Sequence, residues 1–206
     1  MFVVRDRLTN AVFFVEEQMK EKLKKAFGEL LAEMKDKALA EKVVEVWADC
    51  AKEGGWKSYT ELTKIPFTLL TPTDGVNLIE HTVAVTKGAL GIAKAMISTY
   101  KKVPFEINLD WVIAGGLLHD VGKLMEIEKV DGAYRKSYAG KCARHPISGA
   151  IAAAKHDLPL EIQNIIICHA KEGEGRPQRI EGVFIHQADF ATFNPAVMKE
   201  KGQLII

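Results

Sequence analysis

Cysteine is scarce in this 206-residue chain, and its distribution excludes two architectures. Cys50, Cys142 and Cys168 are odd in number, far apart and without a C-x-x-C pair, so neither a disulfide framework nor a zinc ribbon is indicated, and a reducing compartment follows. An excess of charge of one sign is also missing: 28 Lys and Arg face 27 Asp and Glu, interleaved along the chain. With no basic half to grip a phosphate backbone, bulk nucleic acid is disfavoured as a partner. No apolar run approaches the eighteen or so residues of a membrane span, and Arg5, Asp6 and Arg7 interrupt any signal-peptide core. The expectation is a cytoplasmic protein without a membrane partner. What is present, 48% hydrophobic and 27% charged residues, suits a globular chain that buries a sizeable core.

Apolar residues recur at helical spacing almost throughout, so the expected fold is all-α. One helix is predicted from about Thr9 to Phe27. Another carries Leu39, Val43, Val46, Trp47 and Cys50 on one face and stops at Gly54-Gly55. Lys20 and Lys24 beside Glu16 and Glu17 read as a solvated face, giving these N-terminal helices a scaffold or partner-surface role. Residues 55–74 contain Pro66 and Pro72, and Thr73-Asp74-Gly75 is expected to cap a long helix from Val76 to Lys102. On that helix Ile79, Val83, Leu90, Ala93 and Ile97 form one apolar stripe. His81, Val85, Gly88, Ile92 and Met96 form a second, pointing His81 towards packed interior.

Asn108 can cap the next helix, which is apolar nearly all round until it meets His119-Asp120, and Gly115-Gly116 within it implies close helix packing. Asp131-Gly132 between Lys129-Val130 and Ala133-Tyr134 predicts one small β-hairpin. Pro146 suits the first turn of a helix rich in small residues, Asp157-Leu158-Pro159 ends it, and a helix through Ile165–His169 follows. The last predicted helix runs from Ile180 to Phe193. The expected division is an N-terminal helical extension, 1–74, packing on a domain at 75–206.

The informative residues are polar ones in apolar surroundings: His81, His119, Asp120, His145, His169 and Asp189. Asp189 follows Val183-Phe184-Ile185 and precedes Phe190-Ala191, and no Lys or Arg lies within a helical turn of it. Burying an ionised carboxylate without a partner costs several kcal/mol or more. A divalent cation resolves this for all six residues, because imidazole and carboxylate are the usual ligands of first-row metals and the cation supplies the missing charge. Adjacent His119 and Asp120 point roughly 100° apart on a helix, so both reach one cation only near a helix end, which Gly122 is expected to provide. The other two histidines read differently. His156, beside Asp157 at a helix end, is expected at the surface, whereas His186, one turn before Asp189, could orient that carboxylate.

His81, then His119-Asp120 within Leu-Leu-His-Asp-Val-Gly-Lys, then Asp189 within His-Gln-Ala-Asp resembles the HD-domain superfamily of metal-dependent phosphohydrolases, over roughly residues 75–195. His145 in His-Pro-Ile-Ser-Gly-Ala and His169 in Cys-His-Ala resemble the two additional histidines of its dinuclear members. The resemblance implies a helical-bundle HD domain with two divalent transition metal ions (Fe, Mn, Co, Ni or Zn). His81, His119, Asp120 and Asp189 would hold one ion, and Asp120 would bridge to a second held by His145 and His169. It also implies catalytic roles for Asp120 and Lys123, with Lys123 on a substrate phosphate; the plainer reading of Lys123 is a lysine that compensates Asp120. The chain lacks the Gly-Tyr-Pro motif of the HD-GYP subgroup, and Ala170 follows His169 where that subgroup has a second His. Part of the pattern also resembles the catalytic domain of ribonuclease Y.

The implied activity is cleavage of a phosphate ester, of a nucleotide or another small phosphorylated metabolite, by a metal-activated hydroxide. Arg144, Arg176 and Arg179 flank the metal helices and are expected to bind further phosphate oxygens, or else to be ordinary solvated arginines. Tyr134, Lys136 and Tyr138, on and after the hairpin, could cover the pocket. Two other readings share the ligand pattern: an HD-fold mixed-valence di-iron oxygenase, and a non-catalytic regulatory module with structural metals.

Overall fold

A computed structural model describes residues 7–205, so the expectation for Arg5 and Asp6 lies outside the described residues. The all-α expectation holds, with one two-stranded hairpin as the sheet among the described residues. Helix α1 spans Arg7–Glu33, longer than the periodicity predicted, and α2 spans Lys37–Glu53. Met19, Leu23, Phe27 and Leu30 form the buried stripe of α1, and Phe27 packs on Trp47 of α2 with ring centroids 5.2 Å apart. All five apolar residues expected on one face of α2 are buried, and the helix stops at Gly54 as predicted.

After the short α3 (Tyr59–Leu62), the chain forms a strap over residues 63–77, closed by a bridge between Pro66 and Asn77. The following helix, α4 (Leu78–Thr99), is capped by Asn77 and not by Thr73-Asp74-Gly75. Asn77 Oδ1 accepts from the Ile79 and Glu80 amides, and Glu80 accepts in return from the Asn77 amide, a reciprocal box that satisfies donors a turn alone leaves open. Asp74 and Gly75 instead make a turn with positive φ. Of the first predicted stripe Ile79, Leu90 and Ala93 are buried and Val83 half-buried; of the second only His81 and Val85 are buried and Met96 half-buried, whereas Gly88, Ile92 and Ile97 are exposed where α4 runs past the core.

Helix α5 (Leu109–Leu118), capped by Asn108 as predicted, is the central element. Residues 112–118 are buried, and α1, α2, α4, α9 (Leu160–Cys168) and α10 (Ile180–Glu200) all pack on it. Its glycines allow this: a Cβ on Gly115 would meet Ile165 at 2.8 Å, and one on Gly116 would meet Thr86 at 2.8 Å. Trp47 of α2 donates to the Leu117 carbonyl at 2.7 Å, tying the N-terminal helices to the same core. A tight turn then leads through α6 (Lys123–Glu126) into β1 (Ile127–Val130), which pairs antiparallel with β2 (Ala133–Lys136) across Asp131-Gly132. Both turn residues have positive φ, as a two-residue hairpin turn requires.

Helix α7 (Tyr138–Cys142) and α8 (His145–Lys155) precede α9, with the expected break at Asp157-Leu158-Pro159. Helix α10 continues past Phe193 through Pro195. Its last turns leave the core, so water can satisfy the carbonyl that the proline leaves without a donor. Among the described residues, no helix is long and apolar enough to cross a membrane.

Candidate metal centre

Six side chains from five helical segments meet at one end of α5. His81 sits in the first turns of α4, His119 and Asp120 just beyond the end of α5, His145 at the start of α8, His169 at the end of α9, and Asp189 in the middle of α10. Two of these placements depend on the turn at 119–122. The helix ends at Leu118, earlier than expected, and tightens through i to i+3 bonds from Val121 to Leu118 and from Lys123 to Asp120. Gly122 has ordinary helical φ and serves a different need: a Cβ there would lie 2.1 Å from the His145 carbonyl oxygen and 2.7 Å from the Gly149 amide. Its missing side chain is what lets the start of α8 carry His145 to Asp120.

The donor atoms divide into two groups, His81, His119 and Asp189 in one and Asp120, His145 and His169 in the other. Asp120 faces both. Its Oδ2 lies 3.4 Å from His81 Nε2 and 3.4 Å from His119 Nε2, while its Oδ1 lies 3.2 Å from His145 Nε2 and 3.7 Å from His169 Nε2. Asp189 Oδ1 is 3.1 Å from His81 Nε2. Ligands about 2.0–2.2 Å from a shared cation sit about 3 Å or a little more from one another, so this spacing suits a cation in each group.

The far side of the rings settles which nitrogens point inward with a free lone pair. His119 Nδ1 lies 2.6 Å from the Gly116 carbonyl, His169 Nδ1 2.7 Å from the Ile166 carbonyl, and His145 Nδ1 3.0 Å from Glu126 Oε2. These oxygens only accept, so each Nδ1 carries the proton and each Nε2 presents a lone pair to the centre. Yet Nε2 of His81, His119 and His169 and Oδ1 of Asp120 are buried without a hydrogen bond. Four orphaned acceptor or ligand atoms converging in one interior are costly unless a cation receives them, and the donor set therefore fits divalent metal.

Charge supports the same arrangement. Burial resists ionisation of Asp120, but the Lys123 ammonium beside it holds its carboxyl well below the usual carboxylate range. Asp189 is held at about 2 against its burial, chiefly by the neighbouring His81, whose Nε2 lies 3.1 Å from it. Lys123 Nζ lies 2.6 Å from Asp120 Oδ2 and donates to the Phe67 carbonyl at 2.7 Å. It therefore compensates Asp120, as the plainer reading has it, and also lines the cavity above the centre.

That cavity encloses about 260 Å³. Its lining combines His81, Asp120, His145 and Asp189 of the centre, an apolar set of Phe67, Leu69, Leu70, Phe190 and Phe193, the cations Lys123, Lys136, Arg144 and Lys171, and the carboxylates Glu126 and Glu172. Of the three candidate arginines only Arg144 reaches it. Arg179 is drawn away, its guanidinium 4.7 Å from the Trp111 ring centroid and 3.3 Å from Glu181, and Arg176 is exposed in its loop. Lys136 lines the cavity, whereas Tyr134 packs against Trp56 and Tyr138 is exposed to solvent. His186 does not touch the Asp189 carboxylate; its Nδ1 bonds the His169 carbonyl at 2.6 Å. His156 is half-buried, bonded to Asp49 of α2 at 2.9 Å.

Several lining residues escaped the sequence reading, and two of them touch the histidines of the centre. Phe67 stacks on His81 at 4.5 Å, and Glu126 accepts from the His145 amide at 2.6 Å as well as from its ring. Phe67 carries no sequence signal. Glu126, between Met125 and Ile127, shares the apolar context of Asp189, but so nearly does Glu128, which is half-buried on the hairpin and pairs with Arg135.

Comparison with known proteins follows this geometry. The HD domain family profile matches residues 78–190, just over half of the chain and a span that contains all six converging side chains. Over 116 residues the chain is 37% identical to a dihydroneopterin 2′,3′-cyclic phosphate phosphodiesterase of Methanocaldococcus jannaschii, covering 55% of this chain and 45% of that protein. It is 27% identical over 165 residues to ribonuclease Y of Thermotoga petrophila and of Thermotoga maritima, covering 77% of this chain and 28% of theirs. The matched stretches thus span less than half the length of these relatives. No solved structure matches the chain significantly. The ordered His and Asp residues, their convergence at one end of α5 and the match across that same span agree: the chain belongs to the HD domain family.

Proposed function

We propose that the protein is a phosphohydrolase that uses two divalent cations to cleave a phosphate diester of a small metabolite. The observation that carries this reading is the division of Asp120, one oxygen towards His81 and His119 and the other towards His145 and His169, in a cavity whose lining includes cations. His81, His119, Asp120 and Asp189 would hold one ion, and Asp120, His145 and His169 the second; the physiological metal would be Fe, Mn, Co, Ni or Zn. Bound there, the ions supply an acidified water and positive charge for the phosphoryl oxygens.

The chain's own residues do the rest. Asp120 and Asp189 carry the negative charge that the ions neutralise, and the Nδ1 bonds of His119, His145 and His169 keep each ring aimed inward. Lys123 stands beside Asp120, where its ammonium can add charge to a phosphoryl oxygen in the transition state. Arg144, held by Glu126 at Nε and by Glu172 at Nη2, would offer its remaining guanidinium donors to a second oxygen. The apolar set of Phe67, Phe190 and Phe193 suits an apolar or planar group such as a nucleobase. The diester class is taken from the Methanocaldococcus relative, whose name specifies a cyclic phosphate. We assign residues 75–206 as the catalytic domain and 1–74 as a helical extension, of which α1 and α2 pack on α5 and Phe67, Leu69 and Leu70 reach the cavity.

The test is turnover of protein loaded in parallel with Mn²⁺, Fe²⁺, Co²⁺ or Ni²⁺, with and without oxygen, against 2′,3′-cyclic nucleotides, mononucleotides and bis(4-nitrophenyl) phosphate. Hydrolysis that is independent of oxygen and lost in Asp120→Ala supports the proposal. Oxygen uptake coupled to substrate loss without ester cleavage would select the di-iron oxygenase, and full occupancy without turnover the regulatory module.

A further inference from the structure

Glu126 is buried at the end of α6 and, among the described residues, is the one carboxylate bonded to the Nδ1 of an inward-facing histidine; His119 and His169 use backbone carbonyls there. Its two oxygens have separate tasks. Oε2 accepts from the amide of His145 at 2.6 Å and lies 3.0 Å from its Nδ1; Oε1 accepts from Arg144 Nε at 2.9 Å and lies 3.6 Å from Lys136 Nζ. Arg144 and Lys136 both line the cavity. Glu126 is itself pinned from behind. A Cβ on Gly140 of α7 would come within 2.6 Å of the Glu126 Cα and carbonyl oxygen, and Ser137 donates to the Glu126 carbonyl at 2.8 Å.

We propose that Glu126 is a positioning residue that sets His145 for one of the two cations and, through its other oxygen, seats Arg144 and Lys136 for the anionic part of the substrate. The inference rests on the dinuclear reading above. Its chemistry follows from the count of acceptors. A carboxylate accepts on both sides, so one side chain serves His145 and Arg144 together. Glutamine has one acceptor oxygen and one donor amide. With its oxygen turned towards His145, its NH₂ faces the Arg144 guanidinium donor to donor; with its oxygen turned towards Arg144, it leaves His145 without an acceptor. The isosteric variant therefore disrupts one of the two tasks even when the fold is intact.

The experiment compares wild type, Glu126→Gln, Glu126→Ala, Gly140→Ala and Arg144→Ala by Mn²⁺ titration, by KM and kcat for bis(4-nitrophenyl) phosphate, and by ¹⁵N NMR of the metal-free His145 ring. In the wild type, His145 is expected as the Nδ1–H tautomer. Glu126→Ala and Gly140→Ala are expected to weaken one Mn²⁺ equivalent by about 10–100-fold while the other is retained. Arg144→Ala should raise KM at unchanged Mn²⁺ affinity, and Glu126→Gln should show either the metal defect or the KM defect.

An Nε2–H tautomer of His145 in the wild type would overturn the proposal without any variant. So would folded Glu126→Gln and Glu126→Ala proteins that match the wild type in both Mn²⁺ equivalents and in KM. If the wild type binds no pair of cations, the dinuclear reading fails on its own, and the His145 tautomer still decides whether Glu126 orients that ring.

Discussion

A Cβ on Gly122 would stand 2.1 Å from the carbonyl oxygen of His145, so the two segments that carry the centre touch backbone to backbone. That oxygen belongs to the main chain and has no flexible way to retreat. Gly122→Ala is expected to push the start of α8 away from Asp120, at a cost of about 1–3 kcal/mol or more in stability. It should also lower turnover at least tenfold. Thermal unfolding and initial rates check this, and a wild-type melting temperature with wild-type activity would contradict it.

Lys123 bonds both Asp120 and the Phe67 carbonyl, joining the centre to the strap above it. Lys123→Met keeps much of the volume and removes the charge. Turnover is expected to fall about 10²–10³-fold, the range for losing a donor aimed at transition-state charge. Metal content should stay at the wild-type level. A fall in metal content as large as the fall in rate would show that Lys123 acts through Asp120 alone.

Acid sensitivity has a defined sign. Despite its burial, Glu126 is held at about 2, below its ordinary value of 4.5, chiefly by His145. A carboxyl depressed in the folded state stabilises the fold above its unfolded value, and that contribution is lost as pH falls from there towards the folded value. The full amount is at most on the order of 3 kcal/mol, reduced where solvent screens the Glu126 carboxylate. Metal-free wild type should therefore lose unfolding free energy between about pH 5 and pH 2 more steeply than Glu126→Gln. Denaturant titrations at several pH values provide the slopes, and parallel slopes would refute the assignment.

The three thiols differ in reach. Burial pushes Cys50 up to about 12, burial together with the Glu174 carboxylate pushes Cys168 up to about 11, and Cys142 is exposed at the end of α7. Iodoacetamide at about pH 8 is expected to add one group to the native protein, at Cys142, and three after denaturation. Peptide mass analysis locates the adducts; native labelling of Cys50 would contradict the packing of α2.

The centre was legible in the sequence because it violates the pattern of its surroundings. His81, the His119-Asp120 doublet and Asp189 interrupt apolar helices, and the structure brings them together with His145 and His169. Asn108, Asp131-Gly132 and Gly115-Gly116 were legible because capping, turn and packing chemistry are local. Asn77-Leu-Ile-Glu80 carried an equally local signal, a capping box, that Asp74-Gly75 obscured. What was not legible depends on contacts distant in sequence. Gly122 owes its role to α8, Phe67 to His81, and Glu126 to His145, 19 residues later. Arg176 and Arg179 show the converse: nearness to the metal helices along the chain did not bring them to the cavity, because Trp111 and Glu181 hold Arg179 and Arg176 faces solvent.

The central claim is that Asp120 joins two cations into one hydrolytic centre. The most direct measurement is the rate of diester hydrolysis as Mn²⁺ is added to metal-free protein in counted equivalents, alongside Asp120→Ala. The account predicts little hydrolysis at one equivalent, a rise to the maximum at two, and none in the variant at any loading. Maximal hydrolysis at one equivalent, or wild-type hydrolysis in Asp120→Ala, would contradict it.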